Sequence, residues 1–258
     1  MNSIKLSVII LTKNEEKNIE RCLNSVRHAD EIVVIDDNSE DETVDIAKRY
    51  GAKTFQKKLG DFASQRNFGL DKAQGRWILF IDADEELTTQ LVTEINSAIN
   101  NDNNDSFFIK RRDFFMGKEI KHGDVKSARE RGFIRLVKRG SGKWVGNVHE
   151  VYQPNVGAHR DAPLLKSFIN HYPHPTIKEF LSEVNFYSTM RAKELYSSKK
   201  TVNIIEIIFV PFAKFFWNYF IRLGVLDGPE GFIYAFFMSF HSFLVRAKLY
   251  QYKNYPKY

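Results

Sequence analysis

Trp77-Ile78-Leu79-Phe80-Ile81 is an unbroken apolar run, and Asp82-Ala83-Asp84-Glu85-Glu86 follows it at once. An apolar run of this length reads as a strand buried on both faces, as in a parallel sheet covered by helices. Its acidic end then belongs at the carboxyl edge of the sheet, where open α/β sheets gather their ligands. If the extended geometry persists past residue 81, Asp82 and Asp84 lie on the same side. Two carboxylates suit a hard cation such as Mg2+ or Mn2+, which commonly bridges to a substrate phosphate. The same acids also suit the first turn of a helix, where Asp and Glu are favoured. This stretch alone leaves both readings open.

The first hundred residues repeat the arrangement. Leu6–Leu11 is a buried strand, and Ile19, Cys22, Leu23 and Val26 follow at the spacing of one helical face. Cys22 therefore reads as a buried bystander. A second strand, Ile32–Ile35, ends in Asp36-Asp37, after which Ser39 and Glu42 have the spacing of a capping box for a short helix stopped by Gly51. A strand at Ala52–Phe55, a helix at Ala63–Ala73 and a helix at Thr88–Ile99 complete the pattern. Alternating strands and helices predict a parallel sheet with right-handed crossovers. Two of its strands end in acids at one edge, which marks a nucleotide-type site.

The polar run Asn100–Asp105 separates residues 1–105 from residues 106–175. There, strands at Phe107–Arg111, Phe133–Lys138, Trp144–Tyr152 and Lys166–His171 follow one another without long helices. Residues 176–258 form a third region. It opens on the capping box Thr176…Glu179, with Ile177, Phe180, Leu181 and Val184 on one helical face. Ile204–Arg222 and Gly231–Val245 then concentrate apolar and aromatic residues. A spanning helix needs about 20 apolar residues, whereas Glu206, Pro211 and Lys214 interrupt the first segment and the second is shorter. Helices lying in a bilayer interface are expected, with Trp, Tyr and Lys/Arg at the headgroups. A helical hairpin buried against the rest of the chain, or a dimer interface, is the plainer alternative.

One cysteine in 258 residues excludes an internal disulfide and fits a reducing compartment. The N-terminus runs straight into a strand, so no secretory signal is expected. A net charge of +6 is compatible with nucleic acid, anionic lipid or phosphorylated substrates and selects none of them. Aromatics interleaved with Lys/Arg on one face would favour nucleic acid. Here they cluster with aliphatics near the C-terminus, so no nucleic-acid partner is expected.

Four stretches in order carry a family resemblance: Ser7–Glu16, Val33–Thr43, Gln65–Leu70 and Asp82-Ala83-Asp84. Together they resemble the family 2 inverting glycosyltransferases of GT-A fold. Arg135–Arg139, Val148-His149-Glu150, Asn170-His171-Tyr172 and Arg222–Gly228 are similar to the subgroup that extends the lipopolysaccharide core. Gly123–Arg131 departs from that subgroup in lacking an aromatic-rich character.

The resemblance implies a UDP-sugar donor, a hexose such as glucose, a lipid-linked saccharide acceptor, Mg2+ or Mn2+, and a peripheral place on the cytoplasmic face of an anionic inner membrane. It implies that Thr12, Glu15, Asp36 and Asp37 line the donor pocket, with Asp36 receiving the uracil N–H. Arg66 would grip the pyrophosphate bidentately. Asp82 would meet the ribose or the metal, Asp84 would be the principal metal ligand, and His171 would reach the metal or the diphosphate. Inversion needs a base for the acceptor hydroxyl. Glu150 is the candidate, with His149 orienting it and Asp124 as a second candidate. The rivals are transfer to a polyprenyl phosphate, which needs no base, and a non-catalytic nucleotide- or nucleic-acid-binding protein.

Overall fold

The computed structural model describes residues 4–101, 103–146, 150–155 and 162–255. In chain order the elements are β1 (Leu6–Thr12), α1 (Ile19–Ser25), β2 (Glu31–Asp36), α2 (Thr43–Arg49), β3 (Lys53–Gln56), α3 (Phe62–Lys72), β4 (Trp77–Asp82), β5 (Glu85–Leu87), α4 (Thr89–Asn100) and β6 (Ser106–Phe115). They continue with β7 (Lys118–Ile120), α5 (Lys126–Arg131), β8 (Phe133–Lys138), β9 (Gly142–Val145), β10 (Val151–Pro154), β11 (Leu164–His174), α6 (Ile177–Ser197), α7 (Ile204–Phe216) and α8 (Pro229–Asn254). The chain forms two units, residues 1–112 with 130–171, and residues 113–129 with 172–258.

The main sheet runs β3-β2-β1-β4-β8-β6-β11-β5, with β7 added to β6. Its first four strands are parallel, while β8 is antiparallel to β4 and to β6, and β5 is antiparallel to β11. It is the expected α/β architecture, with helices on both faces of a mixed sheet. Alternation along the parallel strands explains the double burial. Val8, Ile10, Leu79 and Ile81 pack with Leu23, Leu91 and Ile95 of α1 and α4. Ile9, Leu11, Ile78 and Phe80 pack with Ala63 and Phe68 of α3 on the other side. Each such fully buried side chain contributes about 1.5–3 kcal/mol of hydrophobic stabilisation. Cys22 lies in the first of these layers, and burial pushes its thiol well above the ordinary range.

Register fixes the functional edge. Thr12 lies beside Asp36 across β1–β2, and Leu11 beside Asp82 across β1–β4. The carboxyl ends of these strands therefore finish level.

Three local expectations are corrected. Ser39 does not cap α2, whose N-cap is Glu42 without a side-chain bond. Instead its N–H and hydroxyl donate to the Asp36 carboxylate at 2.9 and 2.5 Å, closing a tight turn after β2 with Asn38 at φ 53°. The expected strand Trp144–Tyr152 is instead two strands, β9 and β10, paired antiparallel, with Gly146 just after β9 at φ 102°. The acids after Asp82 do not start a helix directly. Glu85–Leu87 form β5, and α4 begins after Thr88, whose hydroxyl accepts from Leu91 N–H. Pro211, which interrupts the first apolar run in the sequence, stands inside a continuous helix.

That segment belongs to the helical unit. Thr176 caps α6 as expected, and Phe180 and Val184 enter a core with Phe115, Ile120 and Val125, whereas Ile177 and Leu181 stay exposed. α7 opens on a full capping box between Asn203 and Glu206 and continues through Pro211 into a π-helical turn, Trp217–Ile221. Packing holds it there: Pro211 is buried, and its carbonyl accepts from Ser239 Oγ of α8 at 2.7 Å. α8 runs past Val245 to Asn254, and Lys248 donates to Asn185, Ser188 and Thr189 of α6. Leu223 takes the left-handed conformation, φ 63°, before a short turn Gly224–Asp227. Asp227 accepts the N–H groups of Lys121 and His122 through one oxygen and faces His122 Nδ1 at 2.9 Å through the other.

Candidate active site

Asp82 ends β4 with a carboxylate held from two sides. Arg66 Nη2 donates to Oδ1 at 3.1 Å, and Arg135 Nη2 donates to Oδ2 at 3.0 Å. Burial alone would raise this carboxyl, but the two guanidiniums outweigh it and hold the group well below the usual carboxylate range. Arg135 stands on β8 in an otherwise apolar stretch and also donates to Glu85 Oε1 at 2.9 Å. Glu85 is fully buried, and Arg111 approaches it at 4.0 Å. Burial raises Glu85 above its ordinary value despite Arg135. Its other oxygen accepts the N–H of Asp82 at 2.9 Å, which fixes the end of β4.

Arg66 comes from α3, which is started by the Asp61 side chain accepting from Ser64 N–H. The Asn67 amide and the Trp144 backbone exchange two hydrogen bonds of 2.9 and 2.8 Å, locking α3 to β9. The Trp144 ring then lies 4.9 Å from the Arg66 guanidinium, a cation–π contact. Arg66 Nε donates to Glu150 Oε1 at 2.9 Å. The guanidinium is thus already committed to two carboxylates, and a bidentate grip on a diphosphate is reduced to one remaining nitrogen. Arg66 Nη1 and Arg135 Nη1 are both buried without a hydrogen-bond partner among the described residues.

Asp84 lies in the turn between β4 and β5. Because β5 pairs with β11, with Glu85 opposite His171, the His171 ring reaches Asp84 Oδ2 at 3.2 Å. Burial pushes Asp84 up, and the His171 contact more than offsets it, so the carboxyl sits below its ordinary value. Strand geometry does not persist past Asp82. Asp82 faces the arginines while Asp84 faces the imidazole, so the expected trio Asp82, Asp84 and His171 does not form one ligand set. Among the described residues no group of three or more His, Cys, Asp or Glu side chains is arranged to hold a metal. Asp84 and His171 are the donors that lie together here; the carboxylate suits Mg2+ or Mn2+, whose shells phosphate oxygens and water ordinarily complete.

Toward β2 the edge is polar. Thr12 Oγ1 is buried without a hydrogen-bond partner among the described residues. Glu15 Oε2 accepts from Asn18 Nδ2 at 2.8 Å. Asp36 is fully buried, and its oxygens serve Ser39. Asp37 pairs with Lys13 at 2.8 Å and accepts the Leu59 N–H at 2.8 Å.

Glu150 does not lie inside a strand as the expected Trp144–Tyr152 run implied; it directly precedes β10, and its Oε2 has no hydrogen-bond partner among the described residues. His149 lies outside the described residues. Asp124 belongs to the helical unit, where it accepts from Asn218 Nδ2 at 3.3 Å. Sequence reasoning gave Arg135 and Glu85 no role. The signal was a lone arginine inside the apolar strand Phe133-Ile134-Arg135-Leu136-Val137, which demands a buried carboxylate.

The profile described as Glycosyl transferase family 2 matches residues 7–162. The chain belongs to that family. It is 31% identical to an uncharacterized glycosyltransferase of Rickettsia typhi over 255 residues, covering 95% of this chain and 86% of that one. It is also 31% identical to the lipopolysaccharide core biosynthesis glycosyltransferase LpsC of Rhizobium meliloti over 261 residues, 96% of this chain and 93% of LpsC. Among solved structures, glucosyl-3-phosphoglycerate synthase from Mycobacterium tuberculosis, in complex with Mn2+, UDP and glucosyl-3-phosphoglycerate, superposes with a TM-score of 0.52. The identity is 15%, over 77% of this chain and 81% of that one. The likeness shows a shared GT-A fold. For this family 2 glycosyltransferase, the level strand ends with Asp82, Asp84 and Glu150 form the candidate active site.

Proposed function

We propose that this glycosyltransferase moves a hexose, glucose being the expected one, from a UDP-sugar to a hydroxyl of a lipid-linked saccharide such as the lipopolysaccharide inner core, with inversion. One observation carries the donor half: two buried arginines bracket Asp82, each with an unpartnered Nη1, beside the Asp84–His171 pair. A buried cationic nitrogen without a partner is costly unless an acceptor arrives, and the oxygens of a diphosphate are such acceptors. The UDP and Mn2+ in the mycobacterial synthase and the role in LpsC's name support the same reading.

In this mechanism Glu150 takes the proton from the acceptor hydroxyl as its oxygen attacks the anomeric carbon and the bond to the UDP oxygen breaks. Arg66 holds Glu150 Oε1, leaving Oε2 to receive the proton. Arg66 Nη1 and Arg135 Nη1 donate to the departing diphosphate. Asp84 and His171 are the residues that would hold a divalent cation, which when bound would supply positive charge to neutralise the leaving diphosphate. Thr12 Oγ1 and Glu15 meet the nucleoside, with Asp36 and Asp37 shaping the loop around it.

The test is calorimetric titration of UDP, with Mn2+ and with chelator. The parent protein should bind UDP in a metal-dependent way, and Asp84→Asn should weaken binding by more than about tenfold. Equal affinity with Mn2+ and with chelator would remove the cation from the proposal. Absence of UDP binding under both conditions would remove the donor.

A further inference from the structure

α7 is apolar on more sides than its packing uses. Ile207 and Pro211 are buried, whereas Ile205, Phe209, Phe212 and Phe216 are 63%, 64%, 70% and 56% exposed. Of the apolar window Ile204–Ile221, only 17% is buried. A helix hydrophobic all round is ordinarily enclosed, and exposed apolar patches of this extent mark an interaction site. The strip does not stop with the helix, because Trp217 in the π-helical turn and Leu226 beyond it are also exposed. Between them Leu223 is exposed in left-handed backbone, φ 63°, where glycine would be relaxed and leucine is strained.

Charge selects what covers the strip. Residues 172–258 carry eleven Lys and Arg against six Asp and Glu, so most of the net charge of +6 lies in this region. A second copy would bring the same positive field against itself, whereas an anionic surface is complementary. We infer that the exposed face of α7, continued by Trp217 and Leu226, lies in the headgroup layer of an anionic bilayer, parallel to the membrane plane.

Length alone would also allow the segment to span, since eighteen helical residues reach about 27 Å. Two features oppose this. Glu206 and Lys214 fall inside the window, and charges at bilayer depth are costly. Moreover, the opposite side of α7 is bonded to α8 through Ser239, and α8 carries Glu230, Arg246 and Lys248. A spanning α7 would take that polar neighbour with it. Lying flat, α7 buries only its unpartnered face.

The full chain supplies its own reporter. Of three tryptophans, Trp77 and Trp144 are buried and Trp217 is 57% exposed. Vesicles of phosphatidylcholine with about one third phosphatidylglycerol should shift Trp217 emission to the blue and render it quenchable by brominated acyl chains. Pure phosphatidylcholine should do so far less. Phe209→Ser combined with Phe212→Ser should reduce vesicle-bound protein at least tenfold, and Trp217→Phe should abolish the spectral shift. Circular dichroism and UDP titration on the same variants show whether the fold and the donor site survive, so failure here is distinct from failure of the donor reading. A Trp217 spectrum indifferent to anionic vesicles would overturn the inference. So would binding that persists in the double variant, or a parent dimer in sedimentation that this variant dissolves, which assigns the strip to a second copy.

Discussion

Glu150→Gln is expected to lower turnover by about 10²–10⁴-fold, the usual contribution of a positioned general base, while UDP binding persists. The substitution is chosen because glutamine keeps the oxygen that accepts from Arg66 Nε at 2.9 Å. The guanidinium therefore retains its partner, and the change falls on proton transfer alone. Turnover with the natural acceptor and calorimetry with UDP separate the two effects. Near-normal turnover would mean that Glu150 merely pairs with Arg66 and that the acceptor needs no base, as for an attacking phosphate oxygen. A joint loss of turnover and UDP binding would instead point to Arg66 having moved.

Arg135→Leu should be among the most destabilising single substitutions in the first unit, by about 3–5 kcal/mol near neutral pH. Removing one partner leaves charge buried and uncompensated. Glu85 is fully buried and loses its 2.9 Å partner, and Asp82 loses the donor to Oδ2. The loss should depend on pH with a definite sign. Glu85 already has a raised folded value, and without Arg135 that value rises further. Its ionised form then costs stability above the ordinary glutamate range, and the cost disappears as the pH falls and the group binds a proton. Asp82 behaves oppositely. Its folded value lies below the ordinary one, so it stabilises above the unfolded value and that contribution fades as the pH falls. Denaturant unfolding of parent and variant at pH 5 and pH 8 should thus show a smaller gap at the acidic pH. Glu85→Gln in the same background should recover part of the neutral-pH loss. A gap independent of pH would show that the arginine's packing, rather than its charge, is what matters.

What could be read from the sequence follows from how locally each feature is encoded. The parallel half was legible because β1, β2 and β4 are largely apolar runs, two of them (β2 and β4) with acids at their ends, and the two-sided burial of Ile9, Ile10, Ile78 and Leu79 is the physical meaning of such runs. The partners of Asp82 were not legible, because Arg66 and Arg135 lie far along the chain in opposite directions and nothing local marks their meeting. The Asp84–His171 pair came through family resemblance rather than through spacing. The antiparallel pair β9–β10 hid inside an apparently continuous strand, although Gly146-Asn147 carries a turn signal. Pro211 inside α7 is tolerated for a tertiary reason. Proline penalises an isolated helix, but here tertiary packing against α8 outweighs the lost backbone bond.

The pairing of β5 with β11 has a consequence for biosynthesis. Asp84 meets His171 only because Glu85 is registered opposite His171 across that pair. A nascent chain that has already emerged through α4 carries every acid of the strand ends yet lacks the imidazole, and β5 has no neighbour on that side. The candidate site is therefore complete only once β11 pairs with β5, a long-range closure of the kind that slows folding. Donor binding should switch on abruptly in a series of lengthening chains once β11 is included.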